Sequence, residues 1–125
     1  MLYDVAKRKV LTEDLTEGLS VLLVTDAYAF DPAHQRVEDV EGDEFQDSSY
    51  SRKTVQNVGL KINSSSYDIK GDDLFWDVDL SGVVGGVVFY YPGFLLSFFD
   101  TEDKVLDGSG FRVQFDSEGV VGVDV

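Results

Sequence analysis

The sequence predicts an all-β protein, a single-domain antiparallel β-sandwich of jelly-roll or immunoglobulin-like type with one short helix near residues 32–40. Short apolar or alternating segments recur along the 125 residues, with turn-forming residues between them. Residues 111–115, Phe-Arg-Val-Gln-Phe, alternate apolar and polar side chains, as a strand with one buried face does. No linker divides the chain. We therefore expect one β-sandwich domain at 19–125, preceded by an N-terminal arm at 1–18.

The individual elements follow from local patterns. For the helix, Asp31 is a suitable cap and Pro32 suits the first turn. Tyr91-Pro92-Gly93-Phe94 predicts a tight turn between two buried strands, since Pro favours the second turn position and Gly the third. The sequence 116–119, Asp-Ser-Glu-Gly, predicts a second hairpin connection. The predicted strands are residues 19–25, 54–60, 66–70, 73–78, 86–91, 94–99, 110–115 and 120–125.

Composition narrows the classes of function. With 24 acidic and 10 basic residues the formal charge is −14, which disfavours binding to nucleic acid and to anionic membranes. The chain has no cysteine, which excludes disulfides and thiolate metal sites. Residues 1–9 lack the apolar core of a signal peptide, so we expect synthesis in the cytoplasm. Lys7, Arg8 and Lys9 make this segment basic, which suggests an acidic neighbour such as a second copy; a solvated terminus is the alternative.

Patterns for catalysis or metal binding are weak. His34, the only histidine, lies near Asp31 but has no second imidazole, so packing or capping is the favoured interpretation. Asp77 and Asp79 would share a strand face, a spacing that arises easily in so acidic a chain. The segment 100–108 is the best calcium candidate, yet it lacks the glycine and glutamate of an EF-hand loop, so we expect a solvated hairpin loop. We expect no enzymatic activity, no cofactor and no metal.

Aromatic residues are the remaining signal. Trp76 lies in an alternating segment and is expected in the core. Other aromatic residues fall in the predicted arm and loops, where they suit a protein interface or fold over the open ends of the sandwich. The candidate partner-contact residues are Tyr3, Lys7, Arg8, Lys9, Tyr28, Phe30, His34, Phe45 and Tyr50.

A succession of short motifs carries a resemblance over residues 19–125. The motifs are Val21-Leu-Leu-Val-Thr25, Tyr28-Ala-Phe-Asp31 with His34, Glu38-Asp-Val40, Ser49-Tyr-Ser-Arg-Lys53, Ile69-Lys-Gly-Asp-Asp73-Leu-Phe-Trp76, Val87-Val-Phe-Tyr90, Leu95-Leu-Ser-Phe-Phe99 and Phe111-Arg-Val-Gln-Phe-Asp-Ser-Glu-Gly119. In this order they resemble a family of small virion structural proteins of tailed bacteriophages. The family implies an all-β virion protein without catalytic residues.

The resemblance implies a head decoration or cement protein that binds the major capsid protein and stabilises the head. Our first hypothesis is therefore a decoration protein that forms a small homo-oligomer such as a trimer. It would lie in the host cytoplasm before assembly and on the capsid surface afterwards. Two alternatives stay open. The first is an adaptor or appendage of the tail or neck, and the second is a calcium-binding or carbohydrate-binding β-sandwich module that uses Asp77, Asp79 and residues 100–107.

Overall fold

Antiparallel strands make up most of the fold. A computed structural model of the chain describes residues 2–9, 18–48, 50–62, 67–76, 80–108, 110–115 and 121–124. Its elements are α1 (Asp4–Lys9), β1 (Ser20–Val24), β2 (Lys53–Thr54), β3 (Gly59–Ile62), β4 (Tyr67–Lys70), β5 (Leu74–Trp76), β6 (Ser81–Tyr91), β7 (Phe94–Asp107), β8 (Phe111–Phe115) and β9 (Val121–Asp124), with short 3₁₀ helices at Val37–Asp39 and Glu41–Asp43.

The strands of the described residues pair into three antiparallel sheets. The largest has the order β2-β1-β6-β7, a second has the order β5-β8-β9, and β3 pairs with β4. The predicted all-β class is confirmed, whereas the jelly-roll or immunoglobulin-like type stays a prediction. The predicted strand at 54–60 is divided into β2 and β3, because Asn57 adopts a left-handed conformation with φ of 55° that an extended strand excludes.

The hairpin of β6 and β7 dominates the largest sheet. Its turn lies at Pro92-Gly93, as predicted, and Gly93 has the positive φ of 98° that the third turn position requires. The expectation of a hairpin loop at 100–108 is wrong, because β7 continues to Asp107 and pairs there with the start of β6. Within this segment the pairing is interrupted by a bulge, at which residues 101–103 lie opposite Gly85. A second register shift lies between Phe89 and Tyr90.

The largest sheet is covered on both faces. Ser97 pairs with Phe89 and Phe98 pairs with Val88, so adjacent side chains of β7 point to opposite faces. On one face, the Phe89 ring lies 5.9 Å from Phe115 of β8. On the other, the Phe98 ring contacts the loop after β1. Trp76 is buried, as predicted.

The prediction of a helix at 32–40 is wrong, because this segment contains turns and a short 3₁₀ helix at Val37–Asp39. The Asp31 side chain accepts a hydrogen bond from the backbone N–H of Ala33 at 2.9 Å, and its carbonyl accepts one from His34 at 3.1 Å, which closes a single turn. The Asp39 carboxylate then accepts bonds from two further backbone N–H groups, at Gln35 and Arg36. These side-chain bonds replace helical ones, so the segment forms tight turns and 3₁₀ helices.

The α-helix among the described residues, α1, belongs instead to the N-terminal segment. Leu2 bridges Ser97 at the outer edge of β7, and the backbone N–H of Tyr3 donates to the Leu96 carbonyl at 3.1 Å. Tyr3, Val5 and Ala6 are buried. Residues 2–9 therefore pack against the sheet. In the described part of the chain, no helix is both long and apolar enough to cross a membrane.

Candidate functional site

The loop between β1 and β2, residues 25–52, carries most of the candidate residues and is tied to the end of β1. The backbone N–H of Thr25 donates to the Asp43 carbonyl at 2.8 Å, and that of Phe45 donates to the Leu23 carbonyl at 2.8 Å. Glu44 bridges Val24 as an added antiparallel residue. These bonds place the polar side chains after residue 43 beside the buried strand β1.

Tyr50 and Arg52 both donate hydrogen bonds to the Glu44 carboxylate, and we call these three residues the ion-pair cluster. Arg52 donates to the two Glu44 carboxylate oxygens, from Nε at 2.9 Å and from Nη2 at 2.7 Å. Tyr50 donates its hydroxyl proton to Glu44 Oε2 at 2.7 Å and accepts a bond from the Leu23 backbone N–H at 3.0 Å. The bidentate geometry is the strongest that arginine and a carboxylate adopt. The cluster therefore links the loop to the backbone of β1.

The pKa values of the cluster reflect these bonds. Burial disfavours the charged form of Glu44, but the hydrogen bonds from Arg52 and Tyr50 outweigh it and lower the pKa of the carboxyl. Burial raises the pKa of the Tyr50 hydroxyl. The hydrogen bond to Glu44 raises the pKa of Arg52. Glu44 and Arg52 are thus held charged, and Tyr50 is held neutral.

A polar depression of about 330 Å³ adjoins this cluster. It is lined by Glu44, Phe45, Gln46, Asp47, Tyr50, Ser51 and Arg52. Below it, Trp76 donates from Nε1 to the Ser51 carbonyl at 2.6 Å, and the Tyr50 and Trp76 rings stack with centroids 6.4 Å apart. Arg52 lies 5.9 Å from the Tyr90 ring. The depression therefore has an aromatic base, and Glu44 and Arg52 form an ion pair on its rim.

A second set of bonds joins the N-terminal segment to the loop. The hydroxyls of Tyr3 and Tyr28 lie 2.7 Å apart, and the Tyr28 hydroxyl lies 3.1 Å from Nδ1 of His34. We call these three residues the hydroxyl chain. Nε2 of His34 faces the Asp31 carboxylate at 3.9 Å. Around the chain, Phe30 lies 5.0 Å from Tyr3, measured between ring centroids.

The structure brings most of the predicted aromatic residues onto the core. The expectation of exposed aromatics is wrong for Tyr3 and Phe45, which are buried and offer no surface to a partner. Tyr28, Phe30 and Tyr50 are half-buried and pack against the core. The alternative was that these residues fold over the open ends of the sandwich; the structure shows that they pack against the core, and the sandwich itself stays a prediction. A chain this small gains more from burying large rings than from exposing them.

The remaining predicted site residues divide into two groups. His34 is half-buried and packs on Tyr28, in agreement with the favoured structural role. The backbone of residues 7–9 lies in α1, but the side chains of Lys7, Arg8 and Lys9 lie outside the described part, as do residues 77–79 and the turn predicted at 116–119. Among the described residues no group of three or more His, Cys, Asp or Glu side chains could hold a metal ion.

Several residues of interest were missed by sequence reasoning. Glu44 and Arg52 are eight positions apart in a polar loop, a separation with no helical or strand periodicity that would pair them. Phe75 on β5 is 50% exposed, and Arg112 on β8 lies 5.9 Å from its ring. Alternation does place Phe75 on the face opposite its buried neighbours Leu74 and Trp76, but it gives no sign of the contact with Arg112.

Comparison with known proteins gives no relative: no protein-family model, curated protein or solved structure matches this chain.

Proposed function

We propose that this protein is a non-enzymatic structural protein of a tailed-phage virion, which decorates the head by docking on the major capsid protein. The proposal is supported by one observation above all. The motifs that carry the resemblance between residues 28 and 53 lie in one loop, and the ion-pair cluster and the hydroxyl chain hold that loop in a defined shape. A surface of fixed shape is what docking on a repeated partner requires.

The distribution of charge supports the same proposal. The loop presents Glu38, Asp39 and Glu41 as exposed acidic residues around its 3₁₀ helices. A formal charge of −14 would keep the protein soluble and disfavour non-specific aggregation before assembly. The exposed acidic residues would steer the protein to a basic patch on its partner, which raises the rate of association. The loop is therefore the surface that we assign to the capsid protein.

Self-association is the second part of the proposal. The N-terminal segment carries Lys7, Arg8 and Lys9, whereas the rest of the chain is strongly acidic. This opposition favours contact between the basic segment of one copy and an acidic face of another, in a small oligomer such as a trimer. The protein would accumulate in the host cytoplasm and end on the capsid surface.

A binding experiment with matched charge variants tests the docking surface. Purified heads that lack the protein are mixed with wild type, with the variant Glu38→Gln/Glu41→Gln, and with Glu102→Gln/Asp103→Asn. Both variants remove two exposed carboxylates, but the second lies at the β7 bulge, away from the loop in sequence. We expect the loop variant to sediment with heads more weakly than wild type, and the bulge variant to bind as wild type does. Equal binding by all three proteins would exclude the loop as the docking surface.

A further inference from the structure

The hydroxyl chain joins the N-terminal segment to the only histidine of the protein. Tyr3, at its inner end, is fully buried, and among the described residues its hydroxyl has no partner other than Tyr28. His34, at its outer end, is half-buried. Imidazole is the side chain whose charge ordinarily changes between about pH 5 and 8. We propose that this chain is a pH-sensitive latch, which holds residues 2–9 against β7 while His34 is neutral and releases them when it is protonated.

The number of hydrogens in the hydroxyl chain explains why protonation of His34 would weaken docking. Three atoms in a row, two hydroxyl oxygens and Nδ1, are joined by two hydrogen bonds. The Asp31 carboxylate, 3.9 Å from Nε2, favours the neutral tautomer of His34 that carries its hydrogen on Nε2. In that tautomer Tyr28 can donate to Nδ1 and Tyr3 can donate to Tyr28, which uses both phenol protons. Protonation places a third hydrogen on Nδ1, which must then donate toward Tyr28. One phenol proton is left without an acceptor in the chain, and an unsatisfied buried donor is costly.

The neighbouring charges do not cancel this effect. Asp31 and Asp39 both attract a protonated His34, but they belong to the same loop and stay beside it whether or not the N-terminal segment is docked. They are present in both states and so do not discriminate between them. The bond between Tyr28 and Tyr3 exists only in the docked state, and it is this bond that protonation disturbs.

Other charged groups on the N-terminal segment and on the loop have opposite effects on docking when His34 is protonated. Asp4 is on the segment itself, where its backbone N–H donates to the Pro32 carbonyl at 2.9 Å, and its carboxylate would favour docking beside a cation. Lys7, Arg8 and Lys9 on the same segment would disfavour it. On the loop, Arg36 would repel an imidazolium. Burial raises the pKa of the Tyr28 hydroxyl, and the charges of Asp31 and Asp43 raise it further. Loop groups, again, are present in both states.

Release would uncover an edge of the main sheet. The segment covers β7 through the bridge of Leu2 to Ser97 and the bond from Tyr3 to Leu96. Without it, the outer edge of β7 presents unpaired backbone groups at these positions, which is a template for pairing with another chain. Acidification would thus raise the fraction of molecules in which the edge of β7 is open at Leu96 and Ser97.

Spin labelling tests the latch on the intact chain. Because the protein has no cysteine, Asp4→Cys gives a single attachment point for a nitroxide on the exposed side of the segment, and Lys104→Cys gives a matched control on β7. Electron paramagnetic resonance spectra are recorded at about pH 7.5 and about pH 5, on either side of the histidine range. The label at position 4 also removes the Asp4 carboxylate, so the response isolates the hydroxyl chain.

We expect the ratio of mobile to immobile label at position 4 to rise roughly tenfold at the lower pH, the change that one lost buried hydrogen bond produces. The label at position 104 should not respond. In the labelled background, His34→Gln and Tyr3→Phe should each remove the pH response, with circular dichroism used to confirm that both fold. A label at position 4 that is equally mobile at both pH values, or a response that persists in either variant, would overturn the proposal.

Discussion

Arg52 forms a bidentate ion pair with Glu44, which in turn pairs with Val24 at the end of β1. The pair therefore connects the end of the long loop to β1. The Glu44 side chain is only 12% exposed, whereas the Arg52 side chain is 36% exposed and its guanidinium also lies 3.7 Å from the Glu41 carboxylate. Glu44 therefore depends on Arg52 for its charge compensation more than Arg52 depends on Glu44. This asymmetry determines what substitutions at the two positions do.

Substitution of Arg52 by Ala should destabilise the fold by about 1–3 kcal/mol, because it leaves the Glu44 carboxylate largely buried without its strongest partner. Urea unfolding of the wild type, Arg52→Ala, Glu44→Gln and the double variant gives the coupling between the two side chains. We expect Arg52→Ala to be less harmful when Glu44 is already Gln. Strictly additive effects would show that the pair contributes no coupling.

Stability should fall in acid as Glu44 is protonated. Its pKa is lowered in the folded protein, so its contribution is present above the ordinary range of a glutamate and is lost as the pH falls through the folded value. The loss therefore lies below about pH 4. Thermal melts of wild type and Glu44→Gln across this range measure it, and the variant should lose less stability on acidification. Parallel curves would contradict the assignment.

Gly85 is required by the close approach of two chain segments. A Cβ at this position would overlap the Thr25 carbonyl oxygen and lie 2.8 Å from Cα of Asp26, and backbone atoms cannot move aside easily. We expect Gly85→Ala to cost about 1–3 kcal/mol. Gly42→Ala is the matched control, since its Cβ would meet nothing within 4 Å. Chemical denaturation compares the two, and similar midpoints would show that β6 tolerates a side chain at the bulge.

We predict that the structural role of the N-terminal segment can be separated from its proposed role in self-association. Tyr3→Ala should destabilise the fold by about 3 kcal/mol, because it empties a buried site beside Phe30. Substitution of Lys7, Arg8 and Lys9 by Gln should change stability by less than about 0.5 kcal/mol but weaken self-association. Thermal melts and sedimentation equilibrium measure the two effects. An unchanged melting temperature in Tyr3→Ala would mean that the segment does not dock.

Sequence patterns predicted the fold where a local rule decides the structure. The alternation at 111–115 and the turn at Pro92-Gly93 are both present. Sequence patterns failed where contacts between distant residues determine the structure. Strand β7 continues through the acidic segment 100–107 because the start of β6 pairs with it. Likewise Asp39 caps the turns that replace the predicted helix. Tertiary pairing and side-chain capping are not visible in periodicity.

The candidate site was predicted in part. The loop aromatics and His34 were identified, and Tyr3, Tyr28 and His34 are brought together. The burial of Tyr3 could not be predicted from its place near the N-terminus, because its partners on β7 are more than ninety residues away in the sequence. Glu44 and Arg52 meet only because the loop returns along β1.

The most direct test of the proposed function is the number of copies bound to each particle. Purified protein is titrated onto purified heads that lack it, and bound copies are counted by quantitative gel densitometry at saturation. A decoration protein on a symmetric shell should saturate on the order of hundreds of copies per head. No binding, or saturation at about a dozen copies as expected for a ring at the tail or neck, would contradict the account.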